Sequence, residues 1–335
     1  MKKLFLILFS ILTLGLFSGC GETKESTPAK KDEIQKISIQ IDGAAVPYYA
    51  PMYIAKEKGY FKEQGLDVDF YYAAAAEIVK NVATGNVQFG FPNADSVILA
   101  KSQGIPVKVV NTTYQHGLGA LIFQKSSGIT EPKDLKGKKI GVTSFGSPNY
   151  IQLQVMLEKA GMSIDDVKVE IIGTGAIVNA LVSGQVDAIM FSMLRTIELK
   201  NQGVDVGEIR SDEFLPSHGN VLIVGDKYLI ENKDVVNKFN IALNKGIQYI
   251  IDGNTKEAVE MSVEKYAPSF KGREEIVTAI LDEVFIPYLW QSENTKKNGL
   301  GYSDAERWNN SIKVLKEYGV IEKEIDAKEL IGNIK

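Results

Sequence analysis

The sequence predicts an α/β protein, because segments with strand periodicity and segments with helix periodicity alternate along most of its length. The alternation of strand and helix patterns is clearest in residues 37–72. Ile37, Ile39 and Ile41 alternate with polar residues as in a strand, a loop and a short helix follow, and residues 66–72 alternate again. The length of 335 residues is typical of about two domains. We therefore expect two α/β bodies with mostly parallel strands.

Composition and charge are those of an ordinary globular protein, with 44% hydrophobic residues, 24% charged residues and a net charge of −4. The lysines are scattered rather than clustered, so we expect no nucleic acid as a partner. Cys20 is the single cysteine of the sequence, which excludes a disulfide within the chain. The core must therefore stabilise the fold without covalent cross-links.

The N-terminal segment differs from the rest. Two lysines precede an apolar run over residues 4–17, which is shorter than the ~20 residues of an ordinary membrane span and fits a secretory signal. Small residues and then Cys20 follow, an arrangement that resembles the bacterial lipoprotein signal, in which the cysteine is lipidated. The alternative is a plain signal peptide that leaves a free thiol. We expect residues 1–20 to be this signal, residues 21–35 to be a disordered tether, and the remainder to lie on the extracytoplasmic face of the cell membrane.

Two α/β series follow the first strand. The first is predicted as the short helix 51–58, the strand 66–72, the helix 74–84, the strand 87–91, the helix 94–102 and the strand 107–111. The second is predicted as the strand 140–143, the helix 149–160, the strand 167–172, the helix 177–182 and the strand 186–190. Glycines directly after several of these helices are typical of helix ends.

The last third of the chain is mainly helical. One strand is predicted at 221–224, and helices at 234–252, 255–266, 273–284 and 303–318. Asp234, Thr255 and Ser303 are residue types that cap helices, and we expect each to cap one of these.

The two α/β series are similar to each other. Residues 82–87 match residues 181–186 in type without a gap, and residues 101–104 match residues 200–203 in the same register. Chance similarity is the alternative explanation. We interpret the match as two like lobes whose ligand-binding edges face each other.

The order of the series suggests how the lobes divide the chain. Lobe one is predicted to comprise residues 36–116 and 220–335, and lobe two residues 117–219. The chain then crosses between the lobes twice. Two crossovers form a hinge whose strands bend together when the cleft closes.

The first strand ends at the candidate site of lobe one. Asp42, Tyr48 and Tyr49 lie at the carboxyl end of this strand, where open α/β sheets bind ligands. A carboxylate accepts hydrogen bonds from an amino group, and tyrosine rings stack on an aromatic ligand. The alternative is that one tyrosine belongs to the core and Asp42 caps a turn. Thr113 and Tyr114, beside the first crossover, are further candidates.

Lobe two offers a candidate anion site. Ser144, Gly146 and Ser147 follow a predicted strand and open a helix, so their N–H groups and hydroxyls converge on the positive end of the helix dipole. Simple N-capping by Ser147 is a compatible alternative. Asn93 and Ser192 occupy equivalent places in the repeat, each after a strand and before a helix, and could cap or point into the cleft.

Catalytic signatures are absent from the sequence. It contains no Gly-x-Ser-x-Gly, Walker, His-Glu-x-x-His or Cys-x-x-Cys motif. His116 and His218 lie near the two crossovers without a convincing third ligand, so we expect hinge or cleft contacts, no metal and no cofactor. Arg195 and Glu198, on the helix after Ser192, are weaker ligand candidates with solvated surface as the alternative.

Several stretches resemble the solute-binding proteins of the nitrate/sulfonate/thiamine-precursor group. They are residues 51–61, 65–68, 104–107, 134–138 and 183–188. The resemblance extends over most of residues 36–290. It implies a two-lobed type II periplasmic-binding-protein fold with two crossover hinge strands and C-terminal helices. It also implies a monomer that binds a small molecule between its lobes and delivers it to the permease of an ABC importer.

The same resemblance bears on the ligand. The thiamine-pyrimidine branch usually carries Asp-Trp-x-Pro-Asn-Thr-x-His, whereas residues 42–49 keep the acid but neither the tryptophan nor the histidine. The sulfonate and nitrate branches favour cationic groups, and no arginine adjoins Ser144. We therefore expect a neutral or weakly basic aromatic heterocycle, with or without an anionic substituent, bound without conversion.

Three alternatives to this function stay open. The first is an importer component for organosulfonate- or nitrate-type anions, and the second is a sensor module that presents its ligand to a membrane partner. The third is an enzyme similar to the eukaryotic thiamine-pyrimidine synthases, which rely on a cysteine-rich iron motif. A chain with one cysteine is a poor match to that motif.

Overall fold

The computed structural model describes residues 34–145 and 147–332, and these contain two five-stranded sheets. The first sheet consists of β1 (Gln35–Asp42), β2 (Leu66–Ala73), β3 (Phe89–Phe91), β4 (Val107–Asn111) and β10 (Leu222–Gly225). The second consists of β5 (Gly119–Gln124), β6 (Lys139–Val142), β7 (Lys168–Ile171), β8 (Ala188–Ser192) and β9 (Val206–Arg210). The predicted signal, Cys20 and Gly146 lie outside the described residues.

The two sheets have equivalent strand orders, β2-β1-β3-β10-β4 in the first and β7-β6-β8-β5-β9 in the second. In this correspondence β1 matches β6, and the reversed strand β10 matches β5. This agreement supports the repeat read from the sequence. The prediction of an α/β chain with two lobes is confirmed. Gly85 and Gly184, which stand at matching places in the repeat, both have positive φ, at 78° and 74°. Each provides the left-handed turn that ends a helix before the third strand of its sheet.

The prediction of mostly parallel strands is confirmed, because four of the five strands in each sheet run in the same direction and only one is reversed. β1 is parallel to β2 and β3, and β6 is parallel to β7 and β8. β10 and β5, however, are antiparallel to both of their neighbours. Each of these two strands enters its sheet directly from a crossover rather than from a covering helix, so its direction is reversed. Sequence periodicity did not predict β5 as a strand, whereas the match of Val206 to Val107 in the repeat agrees with β9.

The helices cover the sheets and form most of the C-terminal third. They are α1 (Ala50–Glu57), α2 (Tyr60–Glu63), α3 (Ala75–Ala83), α4 (Ala94–Ser102), α5 (Pro148–Lys159), α6 (Ile177–Val182), α7 (Leu194–Asn201), α8 (Asp226–Glu231), α9 (Lys233–Tyr249), α10 (Thr255–Lys265), α11 (Glu274–Ile280), α12 (Glu293–Asn298), α13 (Ala305–Glu317) and α14 (Ala327–Leu330). A π-helical segment, Leu281–Trp290, continues α11.

The three predicted caps of this region were wrong. Asp234 and Thr255 lie within the first turns of α9 and α10. Because α10 continues from α9 through a kink at Gly253, it has no free N-terminus to cap. The cap of α13 is Asp304 rather than Ser303, and its Oδ1 accepts from the backbone N–H groups of Glu306 at 3.0 Å and Arg307 at 3.4 Å.

Buried apolar side chains connect the two lobes, and two helices pack closely beside the loop that carries the tyrosines. Ile151 and Val155 of α5, in lobe two, pack in one buried cluster with Val97 and Trp308 of lobe one. On the other side of lobe one, α9 approaches the start of α1 closely. A Cβ added at Gly246 would lie 2.2 Å from the carbonyl oxygen of Pro51.

Candidate functional site

Asp42, Asn93 and Tyr49 form one hydrogen-bonded group at the carboxyl edge of the first sheet. Asn93 Nδ2 lies 3.5 Å from Asp42 Oδ2, and Asn93 Oδ1 accepts from the N–H of Ser96 at 2.9 Å, capping α4. The Tyr49 hydroxyl donates to the backbone carbonyl of Asp42 at 2.6 Å. Burial raises the pKa of Asp42 above its ordinary value, and the Asn93 hydrogen bond opposes this shift. The structure therefore brings three of the predicted residues together.

Tyr48 is held by two phenylalanines that the sequence analysis did not identify. Its ring stacks on Phe285, with centroids 5.4 Å apart and planes inclined by 12°. The edge of Phe270 meets it at 6.0 Å. The hydroxyl oxygen of Tyr48 is buried and makes no hydrogen bond of ordinary geometry among the described residues, although the Glu198 carboxylate acts on it. This hydroxyl is a group that a ligand atom could satisfy.

Tyr114 and Thr113 lie deeper than predicted. Tyr114 is 4% exposed, packs edge-on against Phe285 at 5.4 Å, and directs its hydroxyl to the carbonyl oxygen of Tyr48 at 3.5 Å. Thr113 is 2% exposed and donates its hydroxyl to Asn111 Oδ1 at 2.8 Å. The cavity that these two residues line together with Tyr48 and Tyr49 measures about 10 Å³, room for roughly one water molecule. Tyr114 and Thr113 are therefore buried beneath the residues of the candidate site.

In lobe two, Ser147 is the N-cap of α5. Its Oγ accepts from the N–H of Tyr150 at 3.3 Å and donates to the carbonyl of Ser144 at 2.8 Å. The capping interpretation is therefore confirmed, while anion binding by this loop stays a prediction. Ser192 Oγ accepts from the N–H of Leu194 at 3.4 Å, at the point where β8 leads into α7.

The helices that Asn93 and Ser147 cap meet at the lobe interface. Asp95 in the first turn of α4 and Pro148 and Gln152 of α5 line one narrow crevice. Gln152 is 6% exposed and its Oε1 has no partner among the described residues. An added Cβ at Gly119 would lie 2.0 Å from this oxygen, so the Gln152 side chain would have to move away from β5.

A charged cluster also reaches the site. Arg195 of α7 forms an ion pair with Glu198 in the same helix, and Arg273 of lobe one places Nη2 3.6 Å from the other Glu198 oxygen. Burial raises the pKa of Tyr48 to about 12, and the nearby Glu198 charge adds to the shift. Arg195 and Glu198 were weak candidates at their i,i+3 spacing. Arg273 is distant in sequence, and no local pattern linked it to them.

The two histidines lie in the crossover region. His116 Nδ1 is 2.8 Å from Asp212 Oδ2, and Arg307 forms an ion pair with the same carboxylate. Burial alone would raise the pKa of Asp212, but the His116 hydrogen bond and the Arg307 charge outweigh it and hold this pKa at about 2. His218 Nδ1 donates to the Gln115 carbonyl at 2.9 Å, and burial lowers its pKa to about 3.

The described residues contain neither a metal-binding cluster of side chains nor a membrane-spanning helix. Among residues 34–145 and 147–332, no three His, Cys, Asp or Glu side chains converge as they would around a metal ion. Over the same ranges, every helix is too short or too polar to cross a membrane.

The fold is that of the two-lobed periplasmic binding proteins. The periplasmic aliphatic sulphonate binding protein SsuA from Escherichia coli superposes with a TM-score of 0.72 at 15% identity, covering 89% of this chain and 92% of that one. A family model described as NMT1/THI5 like matches residues 46–256. The chain belongs to the NMT1/THI5-like family.

Relatives with similar levels of sequence identity to this chain are named for different activities. The riboflavin-binding protein RibY of Chloroflexus aurantiacus is 27% identical over 99% of this chain and 98% of its own. The formylaminopyrimidine-binding protein of Halalkalibacterium halodurans is 24% identical over 99% of both. A 4-amino-5-hydroxymethyl-2-methylpyrimidine phosphate synthase of Aspergillus parasiticus is 31% identical, over 64% of this chain and 67% of its own. The two binding proteins therefore match end to end, and the synthase matches in part.

Proposed function

We propose that this protein is the extracytoplasmic solute-binding component of an ABC importer and captures a small aromatic heterocycle between its lobes. The observation that carries the proposal is the two-lobed fold with two crossovers, combined with end-to-end similarity to binding proteins for riboflavin and formylaminopyrimidine. Both of those named ligands are nitrogen heterocycles, which agrees with an aromatic and carboxylate-lined edge in lobe one.

The site geometry supports a capture mechanism without chemical conversion. The ligand first contacts the rigid group of lobe one, where Asp42 is fixed by Asn93 and the Tyr48 ring is fixed by Phe285. Closure then brings the N-terminal end of α5 and the start of α7 onto the ligand. Burial of the ligand by both lobes stabilises the closed state relative to the open one. The permease then recognises the closed state.

The proposal includes an anchor and lobe boundaries that follow from the sequence. Lipidation of Cys20 would hold a monomer at the extracytoplasmic face of the cell membrane, with residues 21–35 as the proposed tether, although Gln35 already belongs to β1. The division into residues 36–116 with 220–335 and residues 117–219 is supported by the crossovers, because each sheet takes its strands from one side of this division. Mass spectrometry of the membrane fraction, before and after Cys20→Ala, tests the anchor.

A binding screen tests the ligand class. Thermal shift with riboflavin, hydroxymethylpyrimidine, formylaminopyrimidine, thiamine, taurine and nitrate should show stabilisation by one of the heterocycles and none by taurine or nitrate. Calorimetry with the compound that binds should then show weaker binding for Asp42→Ala. Because Ser147 is a helix cap, Ser147→Asp, which keeps a capping acceptor, is compared with Ser147→Ala. Stabilisation by taurine or nitrate alone, or turnover of the bound compound, would refute the proposal.

A further inference from the structure

Arg195 and Arg273 approach a shared carboxylate from opposite lobes. Arg195 lies on α7 of lobe two and donates to Glu198 Oε2, while Arg273 precedes α11 of lobe one and lies 3.6 Å from Glu198 Oε1. Glu198 is only 8% exposed. The contact therefore spans the two lobes.

The cluster carries an excess positive charge. Two guanidinium groups share one carboxylate, so the three side chains sum to +1. The side chains of Arg195 and Arg273 are 38% and 44% exposed, whereas that of Glu198 is 11% exposed. A guanidinium has five N–H donors in a planar fork, and a single carboxylate cannot use all the donors of two of them. Donors of both arginines therefore remain accessible to a further acceptor.

Aromatic rings hold both guanidiniums in place. Arg195 lies over the ring of Phe191 at 5.9 Å, and Arg273 lies over the ring of Phe270 at 5.0 Å. Phe270 also contacts Tyr48 edge-on at 6.0 Å. One arginine–phenylalanine pair is supplied by each lobe, and the pair in lobe one is directly connected to the predicted ligand site.

The hydroxyl of Tyr48 can donate to a further acceptor at the same place. The charges that act on this hydroxyl are Glu198, Arg195 and Arg273. Its oxygen is buried and makes no hydrogen bond of ordinary geometry to any described residue, with the Glu198 carboxylate as the acceptor that acts on it. A buried hydroxyl without a well-formed hydrogen bond is costly, so an acceptor supplied by the ligand would remove that cost.

We propose that Arg195, Arg273 and Tyr48 bind a phosphate group of the ligand, and that this protein therefore prefers the phosphate monoester of its heterocycle to the unphosphorylated form. The inference rests on the proposed function, since the ring of the same ligand occupies the Asp42 side of the cleft. Phosphate oxygens match the paired N–H geometry of arginine and accept from the tyrosine hydroxyl. Glu198 holds the two guanidiniums together until the phosphate arrives.

Two pairs of compounds test this inference by calorimetry at low and moderate salt. They are riboflavin with riboflavin 5′-phosphate, and hydroxymethylpyrimidine with its phosphate. In the pair that binds, we expect the phosphate to bind about ten-fold more tightly, with an affinity that falls as salt is added. Arg273→Gln and Arg195→Gln should each remove most of this preference, and Glu198→Gln should increase it.

Lys271→Gln is the matched control, because Lys271 is an exposed cation on the same loop as Arg273. It should leave the preference unchanged. The urea midpoint of each variant shows whether it is folded, and the two arginine variants are independent in case one is not. Equal or tighter binding of the unphosphorylated compounds would overturn the inference and leave the proposed function standing. Failure of every heterocycle in both experiments would overturn both.

Discussion

Gly246→Ala should destabilise the protein even though alanine is the better helix former. The added Cβ would lie 2.2 Å from the carbonyl oxygen of Pro51 and 3.3 Å from the Cβ of Ala55. Real Cβ contacts are essentially never shorter than 3.0 Å, and a backbone carbonyl in the first turn of α1 cannot rotate away. The two helices must therefore move apart, at an overpacking cost of about 1–3 kcal/mol.

Helix propensity acts in the opposite direction and decides how large the net effect is. Replacing glycine by alanine in a helix interior is worth about 1 kcal/mol in favour of the variant. We expect the steric cost to exceed this gain and the free energy of unfolding to fall by up to about 2 kcal/mol. Because Pro51 lies two residues after Tyr49, ligand affinity should fall as well.

Equilibrium unfolding in urea, followed by circular dichroism, measures this effect. Gly173→Ala is the control, because its added Cβ meets no atom within 4 Å and its backbone is outside the left-handed region. The control should match the parent within about 0.5 kcal/mol. A Gly246→Ala variant as stable as the parent, or more stable, would show that propensity outweighs the contact and that α9 does not approach α1 so closely.

Two further predictions concern the hinge and a helix cap. Folding lowers the pKa of His218 from 6.5 to about 3, so the unfolded state binds more protons between these values. The free energy of unfolding should therefore fall as the pH drops below about 6.5, by up to about 1.4 kcal/mol per pH unit, and His218→Gln should remove this slope. Asp212, with a native pKa of about 2 against the usual 3.8, contributes stability that is lost only as the pH falls below that usual value. Burial raises the native pKa of Asp95 to about 6, which gives a slope of opposite sign over part of this range. The difference between the parent and His218→Gln in urea unfolding between about pH 4.5 and 7 therefore isolates the histidine, and an unchanged slope in the variant would contradict its assignment. Asp304→Ala should cost about 1 kcal/mol in the same assay, because the N–H groups of Glu306 and Arg307 lose their acceptor. Asp304→Asn should retain most of that stability, and an equal loss in both variants would argue against a capping role.

The sequence predicted those elements whose pattern is local. The alternation of Ile37, Ile39 and Ile41 is a buried strand face, with each side chain at most 2% exposed. The helix at 94–102 and the strand at 107–111 have the predicted limits. β5 was missed because its residues are buried on both faces and therefore show no alternation of apolar and polar side chains.

The candidate site was predictable in part for the same reason. Asp42, Asn93 and Tyr49 follow strand ends, so sheet topology alone places them close together. Phe285 and Arg273 reach the site from a helical region that has no repeat partner in the sequence. Their positions depend on how that region packs against lobe two, which no periodicity encodes. Tertiary packing therefore supplies the part of the site that the sequence analysis missed.

The place of β10 in the first sheet has a consequence for the order in which the chain folds. This strand lies between β3 and β4, yet it follows the whole of the second sheet in the chain. Until residues 222–225 have been synthesised, β3 and β4 have no strand to join them, and three strands stand apart from the fourth. Lobe two, by contrast, has all its strands by residue 210. During synthesis the second sheet would therefore be complete first. The first sheet would stay incomplete until β10 is available.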